Sequence, residues 1–239
     1  MSLTPHTLRQ RLVDLASQRF RAAGRFAYHF ARGKLGGDPM FLAMLQRGLI
    51  PDQARILDLG CGQGLLAAWL LAAWQSSEAG EWVTGWPAPG MPTDIRGVDL
   101  LDSDIKRAQT ALGSAARFEQ GDMRTVDFGE ADVVVIMDVL HYVELSAQDD
   151  VLRRVRAALP AGGLLITRVG DADGGLRFQL SNWVDRTVAF FRGGRLPPTH
   201  GRSLHEWIRA LEALGFRVET ASMNGELPFA NVMLIARLG

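Results

Sequence analysis

Residues 57–64 read Leu57-Asp58-Leu59-Gly60-Cys61-Gly62-Gln63-Gly64, an acid followed by three alternating glycines. The short apolar run Arg55–Leu59 before the glycines predicts a buried strand, and the Ala- and Leu-rich run Leu65–Gln75 after them predicts a helix. Glycines at such a junction allow a tight turn and a close approach of the backbone to a ligand. The free N–H groups at the start of a helix add hydrogen-bond donors and a positive dipole end. The stretch therefore predicts a ligand-binding turn between a strand and a helix.

The spacing of the glycines separates the classes of nucleotide-binding loop. A dinucleotide fingerprint would need its third glycine at position 65, where this chain has Leu65. The Gly-Lys-Ser/Thr sequence of a phosphate-binding loop does not follow Gly64. The Asp58 carboxylate would repel a pyrophosphate, but it suits a ligand that carries an ammonium or a sulfonium. These features argue against a nicotinamide oxidoreductase and favour a cationic ligand.

Predicted strands and helices alternate on either side of this turn, which indicates an open, doubly wound α/β sheet with parallel strands. The two last strands are joined by a short loop, so we expect an antiparallel hairpin at the edge of the sheet. The further predicted strands are Ile95–Leu100, Arg117–Gln120, Asp132–Met137, Gly163–Val169, Phe216–Ser222 and Asn231–Leu238, and the further helices of this part are Ser103–Leu112, with Ser103 as its cap, and Ala147–Ala158.

The pattern Asp58-x-Gly60-x-Gly62-x-Gly64 after an apolar strand resembles motif I of the class I S-adenosylmethionine-dependent methyltransferases. Three further features follow in the order of that family. Gly97-Val98-Asp99-Leu100 resembles the strand end whose acid accepts both ribose hydroxyls. Gly121-Asp122-Met123 resembles the pair in which an acid binds the adenine amine and an apolar neighbour packs on the ring. The segments Asp132–Asp138 and Leu159–Val169 resemble the fourth and fifth strand motifs.

The resemblance implies a Rossmann-like, seven-stranded sheet and S-adenosylmethionine as the cofactor. The cofactor-binding residues that it implies are Asp58, Gly60, Cys61, Gly62, Asp99, Leu100, Asp122, Met123 and Asp138. One feature departs from the family, because Asp99 follows Gly64 by 35 residues and the family spacing is about twenty. The Trp- and Pro-containing insertion 76–94 accounts for the excess, and we interpret it as a surface elaboration away from the carboxyl ends of the strands.

The loop after strand four holds the candidate for acceptor chemistry. Methyl transfer from a sulfonium is an in-line displacement, so the protein mainly positions the acceptor and excludes water. A base is needed only where the acceptor loses a proton. His141 lies where small-molecule members of the family often carry a histidine, and it is our candidate general base or acceptor-orienting group. The Asn/Asp-Pro-Pro-Tyr motif of adenine and glutamine N-methyltransferases is missing here.

We expect residues 1–239 to form a single methyltransferase domain with additions. Residues 1–50 form an N-terminal helical cap, in which the pattern of Leu3–Phe30 indicates one or two helices, ended by Gly33 and by the Gly36-Gly37-Asp38-Pro39 breaker. Tyr28 and Arg32 are candidates to cover the cofactor. Residues 171–203 form a lid over the acceptor, with a helix at Leu176–Phe191.

The charges and the single cysteine restrict the class of protein. The chain carries 26 basic and 26 acidic side chains, which gives no general reason to expect nucleic acid. Residues 1–34, however, hold seven basic side chains against Asp14. Because Cys61 is the single cysteine of the sequence, a disulfide framework and a multi-cysteine zinc site are excluded. No metal site, membrane span or secretory signal is expected, and the default is a cytoplasmic protein.

The predicted function is transfer of a methyl group from S-adenosylmethionine to a small molecule or to a carrier-tethered acceptor, at O, N or C. Two alternatives stay open. The basic segment 1–34 is compatible with methylation of RNA or protein, although the chain has only two lysines and no RNA-binding module. A non-catalytic relative that keeps the fold to bind a ligand is the other alternative.

Overall fold

The structure is a computed structural model, and it describes residues 3–170, 199–223 and 231–239. These residues contain seven α-helices and seven strands. The predicted lid helix 176–191 and most of the lid insertion lie outside the described residues. In chain order the elements are α1 (Pro5–Gln18), α2 (Arg25–Gly37), α3 (Pro39–Gln46), β1 (Arg55–Leu59), α4 (Leu65–Glu78), β2 (Asp94–Asp99), α5 (Asp102–Leu112), β3 (Arg117–Gln120), β4 (Val133–Met137), α6 (Leu145–Ala158), β5 (Leu164–Gly170), α7 (Leu204–Ala213), β6 (Phe216–Ser222) and β7 (Asn231–Leu238).

The seven strands form one mixed sheet in the order β3-β2-β1-β4-β5-β7-β6. Strand β2 pairs in parallel with β1 and with β3. Strand β7 lies between β5 and β6 and is antiparallel to both. The predicted Rossmann-like sheet with a C-terminal antiparallel hairpin is therefore confirmed, and four of its strands have the predicted bounds.

Three predicted helices have other bounds in the structure: α4 ends at Glu78 instead of Gln75, α6 begins at Leu145 instead of Ala147, and the start of α5 also differs. The N-terminal pattern forms two helices, because it breaks at Gly24, whose φ is +104°. The second helix runs through Gly33 and ends at Gly37, within the predicted Gly36-Gly37-Asp38-Pro39 breaker. The stop comes from Asp38, whose carboxylate accepts the N–H of Met40 and caps α3. Helix α5 begins one residue before Ser103, with Leu101 at its cap position.

The chain divides into two compact units. The first comprises Met1–Asp127 and Ala131–Val133, and the second Phe128–Glu130 and Val134–Gly239. The core of the first unit is built around α4, which is apolar on all sides and buried along most of its length. Trp69 of this helix is fully buried, and its indole N–H donates to the carbonyl oxygen of Phe41 at 2.9 Å.

The predicted insertion 76–94 is a loop only over residues 79–93, because α4 continues to Glu78 and β2 begins at Asp94. It contacts the chain just before β1, because Gln53 N–H donates to the carbonyl oxygen of Met91 at 3.0 Å. Trp82 and Trp86 pack edge to face, with ring centroids 6.5 Å apart. The insertion therefore adjoins the amino end of β1, and the carboxyl end of that strand carries the glycine loop.

The second unit has its own core, formed by the fully buried Val134–Ile136 of β4, by β5 and by the apolar face of α6. Helix α7 begins at a capping box, in which the Ser203 side chain accepts the N–H of Glu206 and the Glu206 carboxylate accepts the N–H of Ser203. In the parts of the chain that the structure describes, no helix combines the length and apolarity required to cross a bilayer.

Gly97→Ala is expected to destabilise the fold. An added Cβ would lie 2.6 Å from the Phe118 ring and 2.8 Å from the Cys61 sulfur. This overpacking of the core should lower the free energy of unfolding by about 1–3 kcal/mol. Gly33→Ala is the matched control, because its Cβ would meet no atom of the described residues beyond its own helix within 4 Å and its helix should gain about 1 kcal/mol. Urea unfolding measures both changes, and a stable Gly97→Ala variant would contradict the packing described here.

Candidate functional site

The loop between β1 and α4 bends sharply towards β2. Gly60, Gly62 and Gly64 all have positive φ, of 78°, 53° and 81°. The N–H groups of Gly60 and Cys61 both donate to the carbonyl oxygen of Val98, at 2.8 and 3.1 Å. A Cβ at Gly64 would lie 2.8 Å from the Phe118 ring, so this position has room only for glycine. The glycine spacing thus lets the loop close onto the end of β2.

Asp99, at the end of β2, joins three segments of the first unit. One carboxylate oxygen accepts the N–H of Gly62 at 2.8 Å, and the other accepts the N–H of Leu101 at 2.9 Å. The carbonyl oxygen of Asp99 accepts the N–H of Gly121 at 3.0 Å, which brings in the end of β3. Since each carboxylate oxygen can accept more than one hydrogen bond, Asp99 keeps acceptor capacity for a ligand with two neighbouring hydroxyls.

The environment of Asp58 favours its protonated form. The side chain is buried, and burial followed by the charge of Asp99 raises its pKa to about 7. The Cys61 thiol is also buried, and burial is the first cause that raises its pKa, followed by Asp58 and Asp99. Cys61 is therefore an inert space-filling residue. A cationic ligand near Asp58 would instead favour the ionised carboxylate.

The turn after β3 carries Asp122 and Met123. The Asp122 carboxylate accepts the backbone N–H of Arg124 at 2.9 Å and pairs with its guanidinium. These contacts lower the pKa of Asp122, with the side-chain bond to Arg124 as the largest cause. The predicted partner of an adenine amine is thus an ionised acid whose side chain is about one quarter exposed.

The surroundings of Asp99 fit a nucleoside. Apart from Gly62 and its two chain neighbours, no atom of the described residues lies within 4 Å of the place where a Cβ at Gly62 would stand, although the N–H of Gly62 binds Asp99. Leu100 and Leu101 follow Asp99 with 61% and 41% of their surface exposed. An acid with acceptor capacity thus lies next to open space and exposed apolar surface. That combination can bind a sugar by its hydroxyls and a flat base by its faces.

Gln63 has a structural role that the sequence analysis missed. Its side-chain amide donates to the carbonyl oxygen of Ala27 in α2 at 2.8 Å, and its side-chain oxygen is buried without a partner among the described residues. The sequence feature that could have indicated this role is the long amide side chain of Gln63 between the loop glycines Gly62 and Gly64. Arg32 pairs with Asp14, and the Tyr28 ring lies under the Arg21 guanidinium. That Tyr28 and Arg32 cover the cofactor stays a prediction.

In the second unit, Asp138 and Arg168 form an ion pair. The Arg168 guanidinium is buried, and its Nε donates to an Asp138 oxygen at 2.6 Å while a second nitrogen binds the other oxygen. Asp138 has a φ of +58°, which side-chain-bearing residues rarely adopt. The predicted cofactor residue Asp138 is thus held by a bidentate arginine at the end of β4.

His141 follows Asp138 in a short 3₁₀ turn, Leu140–Tyr142. Burial lowers the pKa of its imidazole, and the charge of Asp138 opposes that shift. Its Nε2 is buried and has no hydrogen-bond partner among the described residues. The ring is therefore neutral near pH 7 and has a nitrogen that can accept a proton. Among the described residues, no group of three or more acidic, histidine or cysteine side chains forms a metal site.

Residues 25–221 match a protein-family model described as a methyltransferase domain. A curated relative, the carboxy-S-adenosyl-L-methionine synthase of Chromohalobacter salexigens, is 29% identical over 148 residues. That alignment covers 56% of this chain and 48% of the relative, so the chain matches about half of that protein's length.

Solved structures share the fold at low sequence identity. Human N-acetylserotonin methyltransferase in complex with SAM has a TM-score of 0.61 and 18% identity, covering 94% of this chain and 56% of the human chain. Magnesium protoporphyrin IX methyltransferase of Synechocystis, with bound SAH, has a TM-score of 0.54 and 17% identity, covering 99% and 100%. The Haloferax volcanii complex of the Trm112 methyltransferase activator with a methyltransferase has a TM-score of 0.60 and 14% identity, covering 87% and 93%.

Asp58→Asn is expected to stabilise the protein at neutral and higher pH. The carboxyl has a pKa of about 7 when folded against 3.8 ordinarily, so the folded state loses stability as the pH rises between these values. Because Asp58→Asn removes this carboxyl, it should raise the free energy of unfolding by on the order of 4 kcal/mol at a pH above the folded pKa. Thermal unfolding at about pH 5 and pH 8 measures it, and the gain in Tm should be larger at the higher pH.

Asp132→Asn serves as a control of opposite sign. Its side-chain bond to Arg55 is the first cause that lowers the Asp132 pKa, so loss of this charge should destabilise the folded state at neutral pH. If Asp58→Asn gave the same change in Tm at both pH values, the carboxyl would not be protonated in the fold as described.

Proposed function

This chain belongs to the methyltransferase-domain family, and from that membership we propose that it transfers a methyl group from S-adenosylmethionine to a small-molecule or carrier-bound acceptor. The observation that carries the proposal is the arrangement of Asp99. Its two carboxylate oxygens are oriented by the N–H groups of Gly62 and Leu101, beside open space. A carboxylate held in this way suits the two hydroxyls of a ribose.

The other residues of the first unit fit the rest of the cofactor. We assign the ribose to Asp99 and the amino-acid end of the cofactor to the backbone of Gly60, Cys61 and Gly62. The positive charges of the cofactor would lie in the field of Asp58. Apolar surface for the adenine comes from Leu100 and Met123, with Asp122 as acceptor for the amine. Asp138 pairs with Arg168, and its contact with the cofactor stays a prediction.

The chemistry of the acceptor side rests on His141. When bound, S-adenosylmethionine supplies an activated methyl group with a good leaving group. The chain has to orient the acceptor and, where the acceptor carries a proton, to remove it. His141 is suited to that step because burial keeps its imidazole neutral and its Nε2 has no partner among the described residues. The proton would pass from the acceptor atom to this nitrogen as the methyl group is transferred.

The basic segment 1–34 gives little support to an RNA substrate. Several of its charges are satisfied within the first unit, since Arg11 pairs with Glu81, Lys34 with Asp38, and the Arg9 guanidinium donates to a backbone carbonyl. Phosphate contacts would instead need free basic side chains and would produce a steep salt dependence. We therefore favour a small or carrier-bound acceptor over RNA.

Asp99→Ala is expected to weaken binding of S-adenosylmethionine about a hundredfold or more, because two charge-assisted hydrogen bonds to the ribose are lost. Isothermal titration calorimetry measures the Kd. Asp102→Ala is the matched control, since Asp102 is an exposed acid in the first turn of α5 that pairs with Lys106. A wild-type Kd in Asp99→Ala would remove the basis of the proposed site.

His141→Gln is expected to slow methyl transfer about 10²–10⁴-fold with little change in the Kd for S-adenosylmethionine, because a general base is lost. A panel of phenols, amines, carboxylic acids and thioesters supplies the acceptors, and mass spectrometry of S-adenosylhomocysteine formation gives the rate. The wild-type rate should fall with acid only below the ordinary histidine pKa of about 6.5. An unchanged rate in His141→Gln would exclude the base.

The same assay separates the alternative functions. Formation of carboxy-S-adenosylmethionine, the product for which the curated relative is named, would be seen in the nucleoside fraction. Binding of the cofactor without turnover on any acceptor of the panel would favour a non-catalytic relative. Methylation of added RNA with a steep dependence on salt would favour the nucleic-acid alternative.

A further inference from the structure

A buried glutamine, Gln148, holds the backbone on both sides of His141. It lies in the first turns of α6 and has no exposed surface. Its side-chain nitrogen donates to the carbonyl oxygens of Leu140, at 3.1 Å, and of Val143, at 3.0 Å. The same nitrogen lies 2.8 Å from the carbonyl oxygen of His200. One side chain therefore joins the residue before His141, the turn after it and a remote segment of the chain.

The segment around His200 makes further contacts with the same region. The N–H of His200 donates to the carbonyl oxygen of His141 at 2.8 Å. The Arg202 guanidinium donates to the carbonyl oxygen of Leu145 at 2.9 Å and pairs with Asp149 at 2.7 Å. His141 is thus held through its own carbonyl as well as through its neighbours, and Gln148 lies at the centre of these contacts.

The orientation of the Gln148 amide follows from its surroundings. With nitrogen and oxygen exchanged, the side-chain oxygen would face three carbonyl oxygens, which would repel it. In the observed orientation that oxygen is buried without a hydrogen-bond partner among the described residues. An apolar side chain of similar length would avoid this unsatisfied acceptor. What it could not supply is the set of hydrogen bonds to the backbone around His141.

Fixing this backbone matters because no hydrogen bond from the described residues holds the His141 side chain. Its ring lies against Tyr142, with centroids 4.1 Å apart, and its Nε2 has no partner among the described residues. Asp138 is the charge that acts on the ring, and Arg168 pairs with Asp138. A shift of the 140–143 turn would therefore move the imidazole directly.

We propose that Gln148 is a positioning residue for methyl transfer, which fixes the turn 140–143 so that the His141 imidazole meets the acceptor in one orientation. This inference rests on the proposed function of His141 as a base. A displacement of about 1 Å in a reacting group can slow a reaction about a hundredfold, which is the scale of effect that Gln148 controls.

An NMR titration of the full chain with isotopically labelled histidine tests the proposal without a known acceptor. The His141 resonance is the one that disappears in His141→Gln. Gln148→Met keeps the length of the side chain and removes its donors. The expected result is a His141 pKa that moves upward, towards the ordinary value of about 6.5, together with a broadened resonance, because the ring is no longer held in its buried position.

The matched control is Gln109→Met. Gln109 lies on α5 in the first unit and donates to the carbonyl oxygen of Phe118 at 3.0 Å, so its loss also removes a side-chain bond to the backbone. It should leave the His141 titration unchanged. The Kd for S-adenosylmethionine, measured by calorimetry, shows that each variant is folded. If Gln148→Met does not fold, Gln148→Asn keeps the amide on a shorter side chain and should give a smaller upward shift.

A wild-type His141 titration in a folded Gln148 variant would overturn the positioning role. With an acceptor from the panel, Gln148→Met should lower kcat about tenfold to a hundredfold. The two proposals then fail separately. If His141→Gln is slow and Gln148→Met is as fast as the wild type, only the positioning role is wrong. If His141→Gln reacts at the wild-type rate, the proposed base is wrong, and the positioning role falls with it.

Discussion

The carboxylate of Asp99 is the constraint on which the rest of the candidate site depends. The carboxylate accepts hydrogen bonds from the N–H of Gly62 in the glycine loop and from the N–H of Leu101 just before α5. The backbone carbonyl oxygen of Asp99 accepts the N–H of Gly121. Three separate segments therefore meet at one residue. Since both oxygens are oriented before any ligand arrives, little conformational entropy remains to be lost when a pair of hydroxyls binds.

Electrostatics give the two units different chemical characters. In the first, Asp58 is buried close enough to Asp99 for the two charges to interact, and this arrangement would be relieved by a positively charged ligand. In the second, the Asp138 charge is paired with Arg168, and burial keeps His141 neutral. The first environment suits a sulfonium cofactor, and the second suits a base that accepts a proton near neutral pH.

The sequence predicted most of the sheet and the glycine loop because both depend on local patterns. A short apolar run marked β1 to the residue, and the second strand was placed to within one residue at each end despite the long insertion before it. Local patterns do not predict contacts between residues that are distant in the sequence. The bond from Gln148 to His200 spans 52 positions, and the bond from Gln63 to Ala27 spans 36. The raised pKa of Asp58 likewise depends on burial and on Asp99, which tertiary structure alone provides.

A crystal structure of the chain with bound S-adenosylhomocysteine tests the proposed cofactor site most directly. Both ribose hydroxyls should lie within hydrogen-bonding distance of the Asp99 carboxylate, at about 2.5–3.0 Å, while Gly62 and Leu101 keep their bonds to it. A ribose bound elsewhere in the chain, with the Asp99 carboxylate facing solvent or only the backbone, would contradict the site described here.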